Sequence, residues 1–170
     1  MKTIFVDGYN VVNSWPNLKQ DKDVSFEGSR QLLIDILHNY GVFKECKIVL
    51  VFDAHKVAGS IEKEEQINKN ISVVFTKSGE TADSYIEKKV NELGRKHEIV
   101  VVTSDNLEQQ TIFQRGATRM ASIEFYNEIL KVEKSIKSRA EKNENKQRNS
   151  ISDNIDDNTA RLLEEIRRSK

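Results

Sequence analysis

The sequence predicts an α/β domain built on a central, mainly parallel sheet. Three observations carry this. Four short runs rich in β-branched residues are nearly continuous in apolar character rather than alternating, as strands covered on both faces are. Segments with helical spacing lie between them, and that alternation is the pattern of a parallel sheet. Three of the four runs also close on an acid.

The elements follow in order. "TIFVD" (3–7) is the first strand. "SFEGSRQLLIDILHNYG" sets Leu33, Ile36, Leu37 and Tyr40 on one helical stripe, with Ser25 as its N-cap and Gly41 as its stop. "KIVLVFD" (47–53) and "ISVVF" (71–75) are the next strands. "TADSYIEKKVNELG" puts Ala82, Ile86, Val90 and Leu93 on one face and ends at Gly94. "EIVVVTSD" (98–105) is the fourth strand, and "NLEQQTIFQRG" is a shorter helix stopped by Gly116. A short strand near Thr118–Ala121 leads into a long helix from about Ser122, with Tyr126, Ile129, Leu130, Glu133, Ile136 and Ala140 at helical spacing. Its apolar stripe thins after Ile136. Residues 131–148 hold seven Lys/Arg against three Glu, so this last helix is basic. "NSISDNIDDN" is a polar linker. "NTARLLEEIRRSK" forms a terminal helix whose apolar residues are Leu162, Leu163 and Ile166. The expected division is one domain over 1–148 and an extension over 149–170.

Composition narrows the function classes. Hydrophobic residues make up 37% and charged residues 32%, which is polar for a globular chain and implies a solvated helix or tail. The formal net charge is zero, so no global basic signature announces a nucleic acid and none excludes it. The lone Cys46 rules out an internal disulfide, and no Cys/His cluster suggests zinc. "MKTIFVDG" turns acidic too soon for a signal peptide, and no apolar run approaches a membrane span. The expectation is a soluble cytoplasmic protein with no membrane partner.

The strand ends carry the chemistry. Asp7 closes the first strand, Asp53 the second and Ser104-Asp105 the fourth. Asp83 opens the helix after the third. In an open parallel sheet the carboxyl ends share one edge, and ligands bind in the crevice there. The four acids therefore converge. Carboxylates that close repel one another, and desolvation disfavours their charge. A hard divalent cation resolves both problems, because Mg²⁺ and Mn²⁺ prefer carboxylate and water oxygens. Magnesium typically completes its shell with substrate phosphate, so the array points to metal-assisted phosphodiester chemistry. Asn10, Asn13, Thr81 and Ser104 are short polar neighbours able to orient carboxylates, waters or phosphate oxygens. His55, two residues after Asp53, is the one histidine beside a strand-end acid, which leaves a His-centred triad poorly supported. Each acid also has a plainer reading. Asp105 suits the N-cap of the next helix, Asp83 and Glu80 suit a helix N-terminus, and Asp53 suits a turn. Asp7 stands apart, since "DGYN" offers no obvious helix start and precedes apolar "VV". Gly8 is expected to let the backbone turn tightly there.

"FVDGYNVVNSW", "VFDAH", "TKSGETADSYIEK" and "VTSDNLEQQTIFQRGA" resemble the NYN domains of the PIN-like nuclease superfamily, and within it the bacterial YacP-like branch. The resemblance covers about three quarters of the chain. It implies a PIN-like three-layer α/β/α sandwich around a mainly parallel sheet. It implies a metal-dependent endoribonuclease that leaves 5′-phosphate and 3′-hydroxyl ends, using Mg²⁺ or Mn²⁺. Asp7, Asp83 and Asp105 match the family's metal-binding acids, with Asp53 as a fourth. Asn10 and Asn13 match its asparagines near the scissile phosphate. It further implies mRNA cleavage in association with the translating ribosome.

An acidic site must still hold RNA, so cations are expected near it: Lys56, Lys77, Arg115, Arg119 and the 131–148 group, the last equally suited to a solvated face. Tyr9 and Trp15 are aromatics near the site, suited to base stacking or to the core. Two other classes remain open. An aspartate-nucleophile phosphatase usually needs a second Asp two residues after the first, where this chain has Tyr9. A non-catalytic RNA- or ribosome-binding regulator has no need of four converging acids.

Overall fold

A computed structural model describes residues 2–22, 25–53, 63–94, 97–104, 117–153, 161 and 165–168, with the side chains of 20–22 and 144–153 left aside. Two compact units make up the chain, Met1–Val132 and Glu133–Lys170. The first contains six strands in one sheet: β1 (Thr3–Asp7), β2 (Lys47–Phe52), β3 (Lys63–Gln66), β4 (Ile71–Phe75), β5 (Ile99–Val102) and β6 (Thr118–Met120). Their order is β3-β4-β2-β1-β5-β6, with every pair parallel except β3 on β4.

The apolar runs are buried along nearly their whole length. Ile4, Val6, Leu50, Val51, Val74 and Val101 are at most 1% exposed, as a sheet covered on both faces requires. On one face Phe5, Val51, Val74, Val101 and Ala117 pack with Ala82, Tyr85, Ile86 and Val90 of α4 (Ala82–Leu93). The alternate residues face α1 (Gly8–Ser14), α2 (Pro16–Lys22) and α3 (Phe26–Lys44), which bury Val11, Val12, Leu18, Leu33 and Leu37. The start of α5 (Ser122–Asp153) belongs to the same core, because the Phe125 ring packs at 6.0 Å from Trp15 and 5.2 Å from Tyr40.

From β1 the chain steps outward through β2 to β4, then returns over the opposite face by α4 to β5. The order reverses between β1 and β5, so the crevice at a topological switch point opens at the end of β1, beside Asp7.

Four local expectations change. Asp7 does start a helix. It is the N-cap of α1, a segment of poor intrinsic propensity ("GYNVVNS") held by that cap and by burial of Val11 and Val12. Gly8 has no left-handed backbone; a Cβ there would run into the Phe52 ring, so close approach demands the glycine. Gly41 does not stop α3. It is buried, with a Cβ position 3.4 Å from both Asn70 and Ile48 atoms, and the helix runs on to a left-handed cap at Glu45 (φ 53°). Finally β3, "KEEQ", is a strand with all four residues exposed and no apolar signal to announce it.

Ser25 caps α3 and α4 ends at Gly94, as the spacing predicts. In the second unit α5 continues through Asn149–Asp153, where a linker is expected. Ile166 is 64% exposed. Lys131, Lys134, Lys137, Arg139 and Lys142 are exposed along α5. The helix predicted over 106–116 lies outside the described residues.

Candidate metal and phosphate site at the carboxyl edge

Asp7 ends β1 and caps α1, its Oδ1 accepting the Asn10 backbone N–H at 2.9 Å. Its carboxyl is pushed up to about 6. Burial is the main cause, the Asn10 bond opposes it, and the charges of Asp83 and then Asp53 add to it. Asp7 therefore feels both Asp53 and Asp83, although they lie 46 and 76 positions further along the sequence.

Asp53 follows β2 on the same face as Val51, and its Oδ1 accepts the Ala82 backbone N–H. This bond fastens the end of β2 to the N-terminus of α4. Thr81 is the N-cap of α4, with Oγ1 accepting from Ser84 N at 3.2 Å. Thr76 Oγ1 donates to the Glu80 carbonyl at 2.6 Å and fixes the turn that enters the helix. Asp83 lies in the first turn, where the helix dipole favours its charge. Its Oδ1 is buried without a hydrogen-bond partner.

Three buried side-chain atoms lack a hydrogen bond among the described residues: Glu80 Oε2, Asp83 Oδ1 and Arg119 Nε. Two belong to the entry of α4 and the third to β6, all on the face that α4 covers. Buried polar groups are normally satisfied, because an orphaned one costs about 1–3 kcal/mol.

The donors fit a hard divalent cation. They are all carboxylate oxygens, and Asp83 brings one with no internal partner. Among the described residues no three His, Cys, Asp or Glu side chains stand together as a complete ligand set. Asp105, with Lys56 and Arg115, lies outside the described residues.

The remaining expected residues are placed as follows. Asn10 is half-buried and Asn13 exposed, both on α1, and Asn10 contributes its backbone N–H to Asp7. Thr81 spends its hydroxyl on the α4 cap. Ser104 is exposed just past β5, and Lys77 is exposed in the turn before Glu80. Arg119 is half-buried in β6. Trp15 is fully buried, its Nε1 donating to the Ser122 carbonyl at 3.0 Å, so it is a core residue. Tyr9 is half-buried, stacked on Phe26 at 5.0 Å and edge-on to Phe52 at 5.4 Å. Burial, then the Asp53 charge, push its hydroxyl pKa up. Glu80 is the residue that spacing underrated. It reads as a helix-start acid, and only packing reveals its unsatisfied oxygen.

A cavity of about 310 Å³ opens at the other end of the sheet, lined by Lys47, Glu64, Gln66, Lys69, Asn70 and Ser72 among others. None of the carboxyl-edge acids reaches it, so chemistry rather than concavity marks the site.

A mainly parallel sheet covered on both faces, with an acid at its switch point, is the arrangement that the PIN-like class of nuclease folds would show. The comparisons narrow this. The sequence model of the YacP-like NYN domain matches residues 4–168, and the chain belongs to that family. Protein YacP of Bacillus subtilis (strain 168), described as uncharacterized, is 41% identical over 143 residues, which are 84% of this chain and 83% of that one. The crystal structure of Rae1 (YacP) from Bacillus subtilis superposes with a TM-score of 0.73 at 36% identity, covering 99% of this chain and 95% of that one. A mutant form of the same protein gives 0.72 at 38%, covering 84% and 83%. The NYN domain belongs to the PIN-like nuclease superfamily, and among the described residues no helix is long and apolar enough to cross a membrane.

Proposed function

We propose that this protein is a metal-dependent endoribonuclease that cleaves mRNA in the cytoplasm, in association with the translating ribosome. The observation that carries the reading is Asp7 at the carboxyl edge, pushed up to about 6 by burial and by the charges of Asp83 and Asp53, with Asp83 Oδ1 unsatisfied. Asp7, Asp53, Asp83 and Asp105 would hold Mg²⁺ or Mn²⁺. The bound ion supplies charge neutralisation at the phosphate and a lowered pKa for the attacking water.

The chain's own groups do the rest. The Asn10 amide and the Ala82 amide hold Asp7 and Asp53 in fixed orientations. Asn10, Asn13 and Ser104 offer polar contacts to water and phosphate, and Thr81 keeps α4 capped beneath Asp83. Lys56, Lys77 and Arg115 supply cations toward the RNA backbone. The water oxygen attacks phosphorus, the bond to the 3′ oxygen breaks, and that oxygen takes up a proton. The products carry 5′-phosphate and 3′-hydroxyl ends.

The test incubates wild type and Asp83→Asn with translating ribosomes and a reporter mRNA, and maps the 5′ ends. Cuts that require Mg²⁺ or Mn²⁺ and vanish in the variant support the reading. A wild type that never cuts RNA, with or without ribosomes, overturns it.

A further inference from the structure

We infer that Arg119 is a phosphate clamp: its guanidinium grips a substrate phosphate on the β6 flank of the acid edge, and so positions single-stranded RNA across the metal-binding acids. This deepens the nuclease reading above and rests on it for the identity of the ligand.

The placement comes from register. Arg119 is the middle residue of β6 and pairs with Val101, which pairs in turn with Phe5. Residues in parallel register share a face, and strand alternation puts Arg119 with Ala117, a member of the core beneath α4. Arg119 therefore stands on the same face as Asp7 and Asp53. Two strand spacings, about 10 Å, separate β6 from β1. Arg119 lies at the level of Phe5, two residues below Asp7 along the strands.

The chemistry comes from what Arg119 lacks. A guanidinium half-withdrawn from water is normally paired with a carboxylate, because its buried N–H groups otherwise go unsatisfied. Among the described residues Arg119 makes no ion pair, and its Nε is buried without an acceptor. Glu80 and Asp83, on the same face, each keep a buried oxygen unsatisfied. Two acids waiting for a cation and one guanidinium waiting for an anion are the complementary halves of a metal–phosphate complex. An arginine suits the second half better than a lysine. The outer N–H groups of its planar guanidinium can meet two phosphate oxygens at once.

The mount is rigid. β6 is held by three register pairs to β5, and Thr103 N donates to the Met120 carbonyl at 3.2 Å. Three residues after Arg119, the Ser122 hydroxyl meets the Ser14 hydroxyl at 2.5 Å, and Trp15 Nε1 bonds the Ser122 carbonyl. Ser14 also donates to the Val11 carbonyl at 3.2 Å, so the hydrogen between the two serines comes from Ser122. Through these bonds β6 is tied to α1, the helix that Asp7 begins. A clamp and an acid fixed on linked elements hold their separation, which is what positioning requires.

The experiment uses the full chain and an unstructured single-stranded RNA oligonucleotide, with Ca²⁺ replacing Mg²⁺ to block cleavage. Arg119→Gln is expected to weaken binding about tenfold, and to lower the slope of log affinity against log salt by about 0.7, the loss of one phosphate contact. Arg119→Lys is expected to restore the salt slope and only part of the affinity. In isotope-labelled wild type, the Arg119 Nε–H resonance is expected to shift on adding the oligonucleotide. An unshifted resonance overturns the proposal, as does a Gln variant with unchanged slope. The resonance decides the matter even if Arg119→Gln fails to fold. If wild type never cuts RNA yet the resonance and slope behave as expected, the clamp stands and the nuclease reading alone fails.

Discussion

Two clusters of polar side chains, at opposite ends of the sheet, are built on opposite rules. In the β3–β4 turn every bond closes on the protein itself. Asn68 Oδ1 accepts from Asn70 N at 2.8 Å and Ile71 N at 3.1 Å, while its Nδ2 meets His38 Nδ1 at 2.8 Å. Asn70 Nδ2 donates to the Gly41 and Cys46 carbonyls at 3.3 and 3.0 Å. Gln66 Nε2 reaches the Ile71 carbonyl at 3.1 Å. At the carboxyl edge, Glu80, Asp83 and Arg119 each keep a buried atom unsatisfied, and Asp7 is pushed up to about 6. Satisfied polar groups specify a turn. Unsatisfied ones lower stability until a water or a ligand meets them.

Substitutions can break this contrast. The largest effect is expected from Asp83→Asn, with cleavage falling at least about 100-fold while the melting temperature holds or rises. Single-turnover kinetics beside thermal denaturation would check it; a large fall in melting temperature would contradict the contrast.

Asn68→Ala is the mirror experiment. It strands two backbone N–H groups, so a loss of about 2–3 kcal/mol in urea unfolding is expected, with cleavage per folded molecule unchanged.

Asp7→Asn sharpens the comparison through pH. The Asp7 carboxyl sits near 3.8 unfolded and about 6 folded. The folded chain therefore holds that proton more tightly, and stability falls as pH rises from about 4 through about 6. Asparagine keeps the N-cap and removes the charge. The variant should gain about 1–2 kcal/mol at pH 7, after allowance for screening, and nothing at pH 3. Mg²⁺ should stabilise wild type more than the variant. Equal gains at both pH values would refute this account.

The smallest effect is expected at Gly41→Ala, within about 1 kcal/mol of wild type in urea unfolding, because the added methyl meets Asn70 and Ile48 at 3.4 Å while alanine favours the helix interior over glycine by a similar amount.

The sequence made the covered strands legible because burial on both faces leaves an unbroken apolar run. The α4 helix was legible through its stripe and its two caps. What escaped had no such signature. β3 lies fully exposed on the sheet edge, where no apolar residue is required. α1 has residues that favour other conformations and forms through one cap and two buried valines. Gly41 carried a genuine signal that fits two causes, a helix stop or a tight contact, and only packing separates them. The place of Asp7 at the switch point followed from topology alone. The unsatisfied atoms of Glu80 and Arg119 did not, since hydrogen-bond supply depends on what packs around a side chain. Asp105, Lys56 and Arg115 fall outside the described residues.

The exposed β3 strand has one more consequence. A sheet whose last strand offers open backbone groups invites a second chain to add on, and that route leads to aggregation. β3 closes this side with Lys63, Glu64, Glu65 and Gln66, all facing solvent. Charge on both sides of the strand makes an incoming neighbour costly to desolvate. A segment with no part in the chemistry thus guards the colloidal stability of a fold that otherwise presents nearly continuous β-branched strands.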